Sequence, residues 1–164
     1  MCLTSHQWSP IIHDSDISLL LNKIIIKGRN MSQSHRVRIT SPNVAEAAPG
    51  LWSNCLKVED TLYLSGFTSR ANDGETIIGK DGYEQAKVIF QKMKDLCEAA
   101  GGTIDDVVTM TIFVTDIKEN QGVWKARREF FSGDFPACAL IEVKGLAKPE
   151  ILVEIQGQAR LAKK

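Results

Sequence analysis

The pattern of apolar and polar positions becomes regular from Arg36 onward. Residues 36–40, 56–58 and 61–65 each alternate between the two kinds of side chain, and Glu59-Asp60 separates the second run from the third. Alternation with a period of two is typical of strands, and a two-residue turn between such runs indicates a hairpin. The regular part of the chain is therefore predicted to begin with two or three strands.

Two later segments repeat apolar residues at the spacing of a helix. Residues 83–100 carry one apolar stripe with lysine, glutamine and glutamate outside it, and Gly101-Gly102 gives the expected stop. Residues 120–131 carry a second stripe, which ends at Ser132-Gly133-Asp134. The sequence therefore predicts two amphipathic helices.

Strands are predicted around the second helix. Residues 107–115 alternate apolar side chains with mostly hydroxyl-bearing ones, and residues 138–144 and 151–161 follow the helix. The order of elements predicts an α+β fold with two helices covering one face of a mixed sheet. Val108, Met110 and Ile112 belong to the row expected under the helices. The opposite face mixes polar and apolar side chains, which favours assembly around a polar cavity: Thr109, Thr111, Phe113, Leu140, Leu152, Glu154 and Gln156.

Composition excludes several classes of protein. Among 164 residues, 20 lysines and arginines balance 20 aspartates and glutamates, and no basic run exceeds three residues. The long-range attraction that drives binding to nucleic acid is therefore missing. The four cysteines are widely spaced and the three histidines lie early in the chain, so no metal site, no cofactor and no disulfide framework is predicted. A reducing compartment, the cytoplasm, is expected.

Residues 1–35 are expected to be an N-terminal extension to a domain spanning residues 36–164. Asn22-Lys23 interrupts the apolar stretch in the extension, which is too short to span a bilayer and lacks the basic start of a secretory signal. No membrane partner is expected. Two alternatives remain open: a weak transit sequence, which would direct the protein to mitochondria, or a natural start at Met31.

A series of short motifs at consistent spacing resembles the RidA/YjgF family, also labelled L-PSP endoribonuclease. The resemblance runs from about Arg36 to Ala162. Its motifs are Gly50-Leu51-Trp52-Ser53-Asn54, Leu62-Tyr63-Leu64-Ser65-Gly66, Ala99-Ala100-Gly101, Asp106-Val107-Val108, Phe113-Val114-Thr115-Asp116, Phe130-Phe131, Phe135-Pro136-Ala137 and Val153-Glu154-Ile155.

The resemblance implies a chorismate-mutase-like fold, a homotrimer and small-molecule pockets in the clefts between subunits. It also implies hydrolysis of reactive enamines and imines left by pyridoxal-phosphate enzymes, with a 2-oxo acid and ammonia as products. That chemistry needs a cation for the substrate carboxylate, an acceptor that orients water, and backbone groups around the imine carbon. A guanidinium suits the first role because its planar fork matches a carboxylate.

The chain departs from the family pattern at the carboxylate-binding position. The family arginine directly follows Phe-Pro-Ala, and here that residue is Cys138. Trp52, Phe67 and Trp124 also replace more polar residues of the family. Glu154 and Ser65 are retained and are the predicted catalytic residues. The predicted substrate-binding residues are Trp52, Gly66, Phe67, Trp124, Arg128 and Cys138.

Another cation could substitute for the missing arginine. Arg70, Arg127 and Arg128 are the candidates, and Arg128 is the first choice because it lies one helical turn from Trp124. A nucleophilic role for Cys138 is disfavoured, because a reactive thiol needs a cationic neighbour and the sequence identifies none. Cys138 is instead expected to be a small filler that enlarges the pocket.

Two functional classes stay open. The first is a divergent deaminase or hydrolase of an enamine, an imine or a related small metabolite, distinct from the standard 2-imino acid deaminase. The second is a non-catalytic, ligand-binding or stress-related trimer. The retained Glu154 and Ser65 favour the enzyme, whereas Cys138, Trp52 and Phe67 favour the binding protein. A ribonuclease is a third possibility, which the neutral charge and the lack of paired histidines do not support.

Overall fold

The computed structural model of the protein describes residues 35–162. Two helices, α1 and α2, and six strands, β1 to β6, make up this part of the chain. The helices span Gly82–Ala99 and Asn120–Phe130. The strands span Arg36–Ile39, Cys55–Val58, Thr61–Phe67, Val107–Val114, Ala137–Glu142 and Val153–Arg160.

The six strands form one sheet in the order β1-β2-β3-β6-β4-β5. β4 and β5 are parallel, and the other neighbours are antiparallel. A parallel pair needs a crossover connection, and α2 lies in the crossover between β4 and β5. The predicted α+β arrangement, a mixed sheet with two helices, is confirmed.

The core lies between the sheet and α1. The helix begins at Asp81, whose carboxylate accepts a hydrogen bond from the Glu84 backbone N–H at 2.8 Å. The predicted stripe of α1 is fully buried, since Ala86, Ile89, Phe90, Met93, Leu96 and Cys97 expose none of their surface. The inward row of the sheet meets this stripe with Ile112, Val153 and Ile155, which are equally buried.

The pairing register changes two of the predicted face assignments. Val108 is 51% exposed because the pairing of β4 with β6 shifts between Val107 and Thr109, so that Val107 takes the buried position. Leu140 pairs with the buried Ile112 and packs against the core, so the prediction that Leu140 lies on the polar face is wrong.

The opposite sheet face is open and largely polar. Tyr63, Thr109, Thr111, Gln156 and Gln158 line a shallow groove of about 340 Å³ on it. The polar character that the alternating pattern predicted for this face is therefore present.

The predicted N-terminal extension lies, apart from His35, outside the described residues. β1 begins at Arg36, and the domain boundary predicted there stays a prediction. Neither helix of the described chain is long and apolar enough to cross a membrane.

Candidate functional site

An irregularity in β3 opens the sheet beside the predicted catalytic residues. β3 pairs regularly with β6 up to Leu64, and the pairing resumes with a shift at Phe67. Ser65 and Gly66 lie in this bulge, and the Ser65 backbone N–H donates instead to the Asn54 carbonyl at 2.9 Å. Bulges of this kind redirect side chains and are common next to active sites.

Glu154 lies directly against this bulge. Its carboxyl group occupies the space that a Cβ atom on Gly66 would take, so a glycine is required there for the approach. Burial raises the pKa of Glu154, and the charge of Arg70 partly offsets that rise. The result is a half-buried carboxyl group with weakened solvation, as a group that accepts a proton in catalysis requires.

A cleft of about 420 Å³ adjoins the bulge. Trp52, Gly66, Phe67 and Arg70 line it together with residues 44–48 of the preceding loop. Trp52 is 53% exposed, and its indole Nε1 donates to the Asn54 side chain at 3.3 Å. The cleft therefore combines an aromatic surface with one guanidinium.

Phe67 differs from the other predicted pocket residues. It is 5% exposed, pairs with the buried Ile155 and belongs to the hydrophobic core, while one side of it forms part of the cleft wall. Its main contribution is therefore packing between sheet and helices.

Two residues outside the predicted catalytic and substrate-binding sets hold the cleft in shape. Asn54 is buried, and its side-chain amide donates to the Ala45 carbonyl at 2.9 Å and to the Glu46 carboxylate at 3.2 Å. Lys92 of α1 donates to the backbone carbonyls of Thr68 and Arg70. Burial lowers the pKa of Lys92. A lysine just outside a helix stripe carries no sequence signal for such a role.

A second group of predicted residues lies where α2 meets the start of β5. The Arg127 guanidinium lies over the Trp124 ring at 4.5 Å and over the Phe135 ring at 5.0 Å. Cys138 is exposed, with its thiol 3.6 Å from the Ala139 carbonyl. Burial raises the pKa of the Cys138 thiol, and Arg127 lowers it in part through its charge and a hydrogen bond.

The expectation that Cys138 lacks a cationic neighbour is therefore wrong, because Arg127 lies beside it. The thiol is still not activated, since the desolvation of Cys138 outweighs the effect of the guanidinium. Arg128, the first choice from the sequence, is exposed, and no ion pair or hydrogen bond within residues 35–162 holds it. Its predicted role in binding stays a prediction.

The structure thus separates the predicted site residues into two groups. The Glu154 group consists of Trp52, Ser65, Gly66, Arg70 and Glu154. The Arg127 group consists of Trp124, Arg127 and Cys138, to which the structure adds Phe135.

The two groups lie on opposite faces of the sheet within one protomer. Cys138 pairs with Met110 on the helix-facing row, whereas Glu154 pairs with Phe113 on the open face. Glu154 on β6 and Cys138 on β5 are separated by β4, which is about 10 Å at the usual strand spacing, and Ser65 and Gly66 on β3 lie one strand further away. One protomer therefore does not bring the two groups into a single cleft.

We expect Gly66→Ala to displace the Glu154 carboxyl group. The added methyl group needs the space that the carboxyl group fills, and because the end of a glutamate side chain is flexible, the fold should tolerate the shift. Activity that depends on Glu154 should fall at least tenfold, with little change in the melting temperature. Gly145→Ala is the matched control, since a methyl group added there would meet no atom within 4 Å. Equal activity of the two variants would contradict this expectation.

Comparisons with known proteins identify the family and the fold. Residues 43–161 match the family model described as Endoribonuclease L-PSP. A structure of a protein of unknown function from Pseudomonas aeruginosa is 38% identical, with a TM-score of 0.69, and the match covers 77% of this chain and 92% of that one. RidA from an Antarctic Psychrobacter species is 30% identical, with a TM-score of 0.69 and coverage of 76% and 99%.

A third solved structure is the Rid-family protein YyfA from Yersinia pestis. It is 30% identical, with a TM-score of 0.70, and the match covers 77% of this chain and 99% of that one. The family model spans the bulge, Glu154 and the α2–β5 region alike. The chain therefore belongs to the RidA/YjgF family, the family of Endoribonuclease L-PSP.

Proposed function

We propose that this protein hydrolyses a reactive imine or enamine of a small metabolite to a carbonyl compound and ammonia. The observation that carries the proposal is the desolvated carboxyl group of Glu154 against the open bulge at Gly66, beside a cleft of small-molecule size. Membership of the Rid family is consistent with a deaminase or hydrolase role.

The chemistry follows from one carboxylate and one water molecule. Glu154 accepts a proton from water while the water oxygen bonds to the imine carbon, and the C=N double bond becomes a single bond. The proton then passes from Glu154 to the nitrogen of the tetrahedral adduct. Glu154 next takes the proton of the adduct's hydroxyl group and passes it to the nitrogen as the C–N bond breaks, so that ammonia leaves and the carbonyl forms. General acid–base assistance of this kind contributes about 10²–10⁴-fold to a rate.

Substrate recognition is proposed to differ from that of the standard 2-imino acid deaminase. Cys138 stands where the family pattern has its carboxylate-binding arginine. The thiol provides neither a permanent charge nor a planar pair of donors.

A homotrimer would explain why the two groups are separated within one protomer. Clefts between neighbouring subunits would combine the Glu154 group of one copy with the Arg127 group of the next. The open polar face and the exposed edge strand β5 support this arrangement, since both remain uncovered in a single chain. Light scattering coupled to size-exclusion chromatography should give three times the mass of one chain, and a monomer would contradict the shared cleft.

The activity is tested with 2-iminobutanoate or 2-aminoacrylate generated in situ by a pyridoxal-phosphate lyase. We expect the protein to accelerate the release of ammonia and of the 2-oxo acid above the spontaneous rate. No acceleration with any imine or enamine tried would contradict the enzyme and favour a ligand-binding trimer. The exposed indole of Trp52 in the cleft wall is the observation that favours that second function.

A further inference from the structure

We infer that Arg127 is the anion-binding residue of this protein and that its substrate carries a carboxylate. The inference rests on the proposed function and names the substrate class of that same site. Position 138 carries a thiol in place of the family arginine. Arg127 on α2, which lies beside that thiol, supplies the positive charge instead.

Within residues 35–162, the guanidinium of Arg127 is a charge without a counter-ion. No ion pair in that part of the chain involves it, its one side-chain hydrogen bond there is to the Cys138 thiol, and its Nε atom is buried without a hydrogen-bond partner. A partly buried charge without a partner is costly to keep. An arginine on α2 that has no counter-ion within residues 35–162 therefore indicates a place for an external anion.

The surroundings of Arg127 fix it in position. Its Cζ atom lies 4.5 Å from the Trp124 ring centre and 5.0 Å from that of Phe135. Contacts of this kind hold a guanidinium through its flat face and leave the donors at its edge free for bidentate hydrogen bonds to a planar anion. Carboxylate is the anion that matches this fork and that an imino acid would carry.

Cys138 accepts one hydrogen bond from the guanidinium, and because its side chain is small and uncharged it provides no counter-ion for the rest of that group. An arginine at that position would place a second positive charge beside Arg127, and the two would repel each other. Cys138 is exposed and its thiol remains protonated at neutral pH because burial raises its pKa. A thiol at position 138 therefore allows Arg127 to bind an anion without a competing positive charge beside it.

Binding of a stable product analogue tests this inference without any turnover. The probes are 2-oxobutanoate and its uncharged counterpart 2-oxobutanamide, titrated into the full-length protein and followed by NMR chemical shifts. We expect the dissociation constant of 2-oxobutanoate to rise about tenfold or more in Arg127→Gln, which corresponds to the loss of a charge-assisted contact. The amide should bind the unaltered protein as weakly as the carboxylate binds Arg127→Gln.

Three further variants make the test specific. Arg160→Gln removes an equal charge from an exposed arginine that pairs with Asp60 and Thr61, far along β6, and should bind as the unaltered protein does. Arg127→Lys keeps the charge without the planar fork, and should show an intermediate loss even if the glutamine variant folds poorly. Arg128→Gln tests the rival arginine of the same helix.

The inference is overturned by any of three results: no binding of 2-oxobutanoate to the unaltered protein, an unchanged affinity in both Arg127 variants, or a loss in Arg128→Gln alone. Failure of the proposed function is separate. If 2-oxobutanoate binds through Arg127 but no imine is hydrolysed, the anion site stands and the proposed function is wrong. If imines are hydrolysed at the same rate in the Arg127 variants, the proposed function stands and the anion site is wrong.

Discussion

Glu154→Gln should lower the rate of imine hydrolysis by about 10²–10⁴-fold, the usual contribution of a general base. Glutamine keeps the size of the side chain and its contact with Gly66, but its amide cannot accept a proton from water. The rate is measured as ammonia release from 2-iminobutanoate generated in situ, with the spontaneous rate subtracted. Glu98→Gln, on the exposed end of α1, is the matched control and should retain full activity.

Stability should not fall with activity in the Glu154 variant. Burial raises the pKa of Glu154 above its ordinary value of 4.5, so the folded state favours the protonated form. As the pH rises through the unfolded and then the folded pKa, this group therefore makes the fold progressively less stable. At neutral pH the glutamine variant is expected to melt at the same temperature or slightly higher, as is common where an active site is strained.

The same rise in the pKa of Glu154 predicts the pH at which the proposed activity of the unaltered protein declines on the acid side. Glu154 must be ionised to accept a proton, so activity should decline on the acid side at a pH above 4.5. A pH–rate profile of the catalytic step checks this. A decline centred at or below 4.5, or full activity of Glu154→Gln, would show that another group activates the water.

Gln85→Leu should cause a large loss of stability. Gln85 is 1% exposed and joins α1 to two other backbone segments. Its amide nitrogen donates to the Gly79 carbonyl at 3.2 Å and to the Glu150 carbonyl at 2.8 Å, and its oxygen accepts from the Leu152 N–H at 2.8 Å. Each buried group left without a partner costs about 1–3 kcal/mol.

The expected total for Gln85→Leu is at least about 3 kcal/mol, which lowers the melting temperature by about 6–12 °C in a domain of this size. Thermal melts at equal protein concentration measure it, since association of subunits also shifts the midpoint. Gln91→Leu is the control on the same helix, because Gln91 is exposed and bonds only the Asp95 carboxylate. Similar melting temperatures for the two variants would mean that the segments around Gly79 and Leu152 find other partners.

The role of Gln85 could not be inferred from the sequence. It precedes Ala86 in a helix whose apolar stripe is clear, and glutamine outside such a stripe is usually solvated. Its three partners are 6, 65 and 67 residues away along the chain. Only the docking of α1 against the segment that leads into β6 brings the two distant partners within hydrogen-bond distance.

The choice between Arg127 and Arg128 depended on tertiary structure for a similar reason. Both arginines lie near Trp124 on α2, and a difference of one residue rotates a side chain by about 100° around a helix. Phe135, which follows α2 by several residues, lies over the guanidinium of Arg127 and thereby decides which arginine stands beside Cys138.

The sequence by itself determined the helices, most of the strands, the α+β class and the family, because periodicity and short motifs are local properties of the chain. It also placed Glu154 on the polar row and Gly66 at the end of a strand. Only the tertiary structure decided the faces of Val108 and Leu140, the contact between Glu154 and Gly66, and the division of the site into two groups. The physical reason is pairing register: a bulge or a shift of one residue moves a side chain to the other face of the sheet, and register is set by contacts between distant strands.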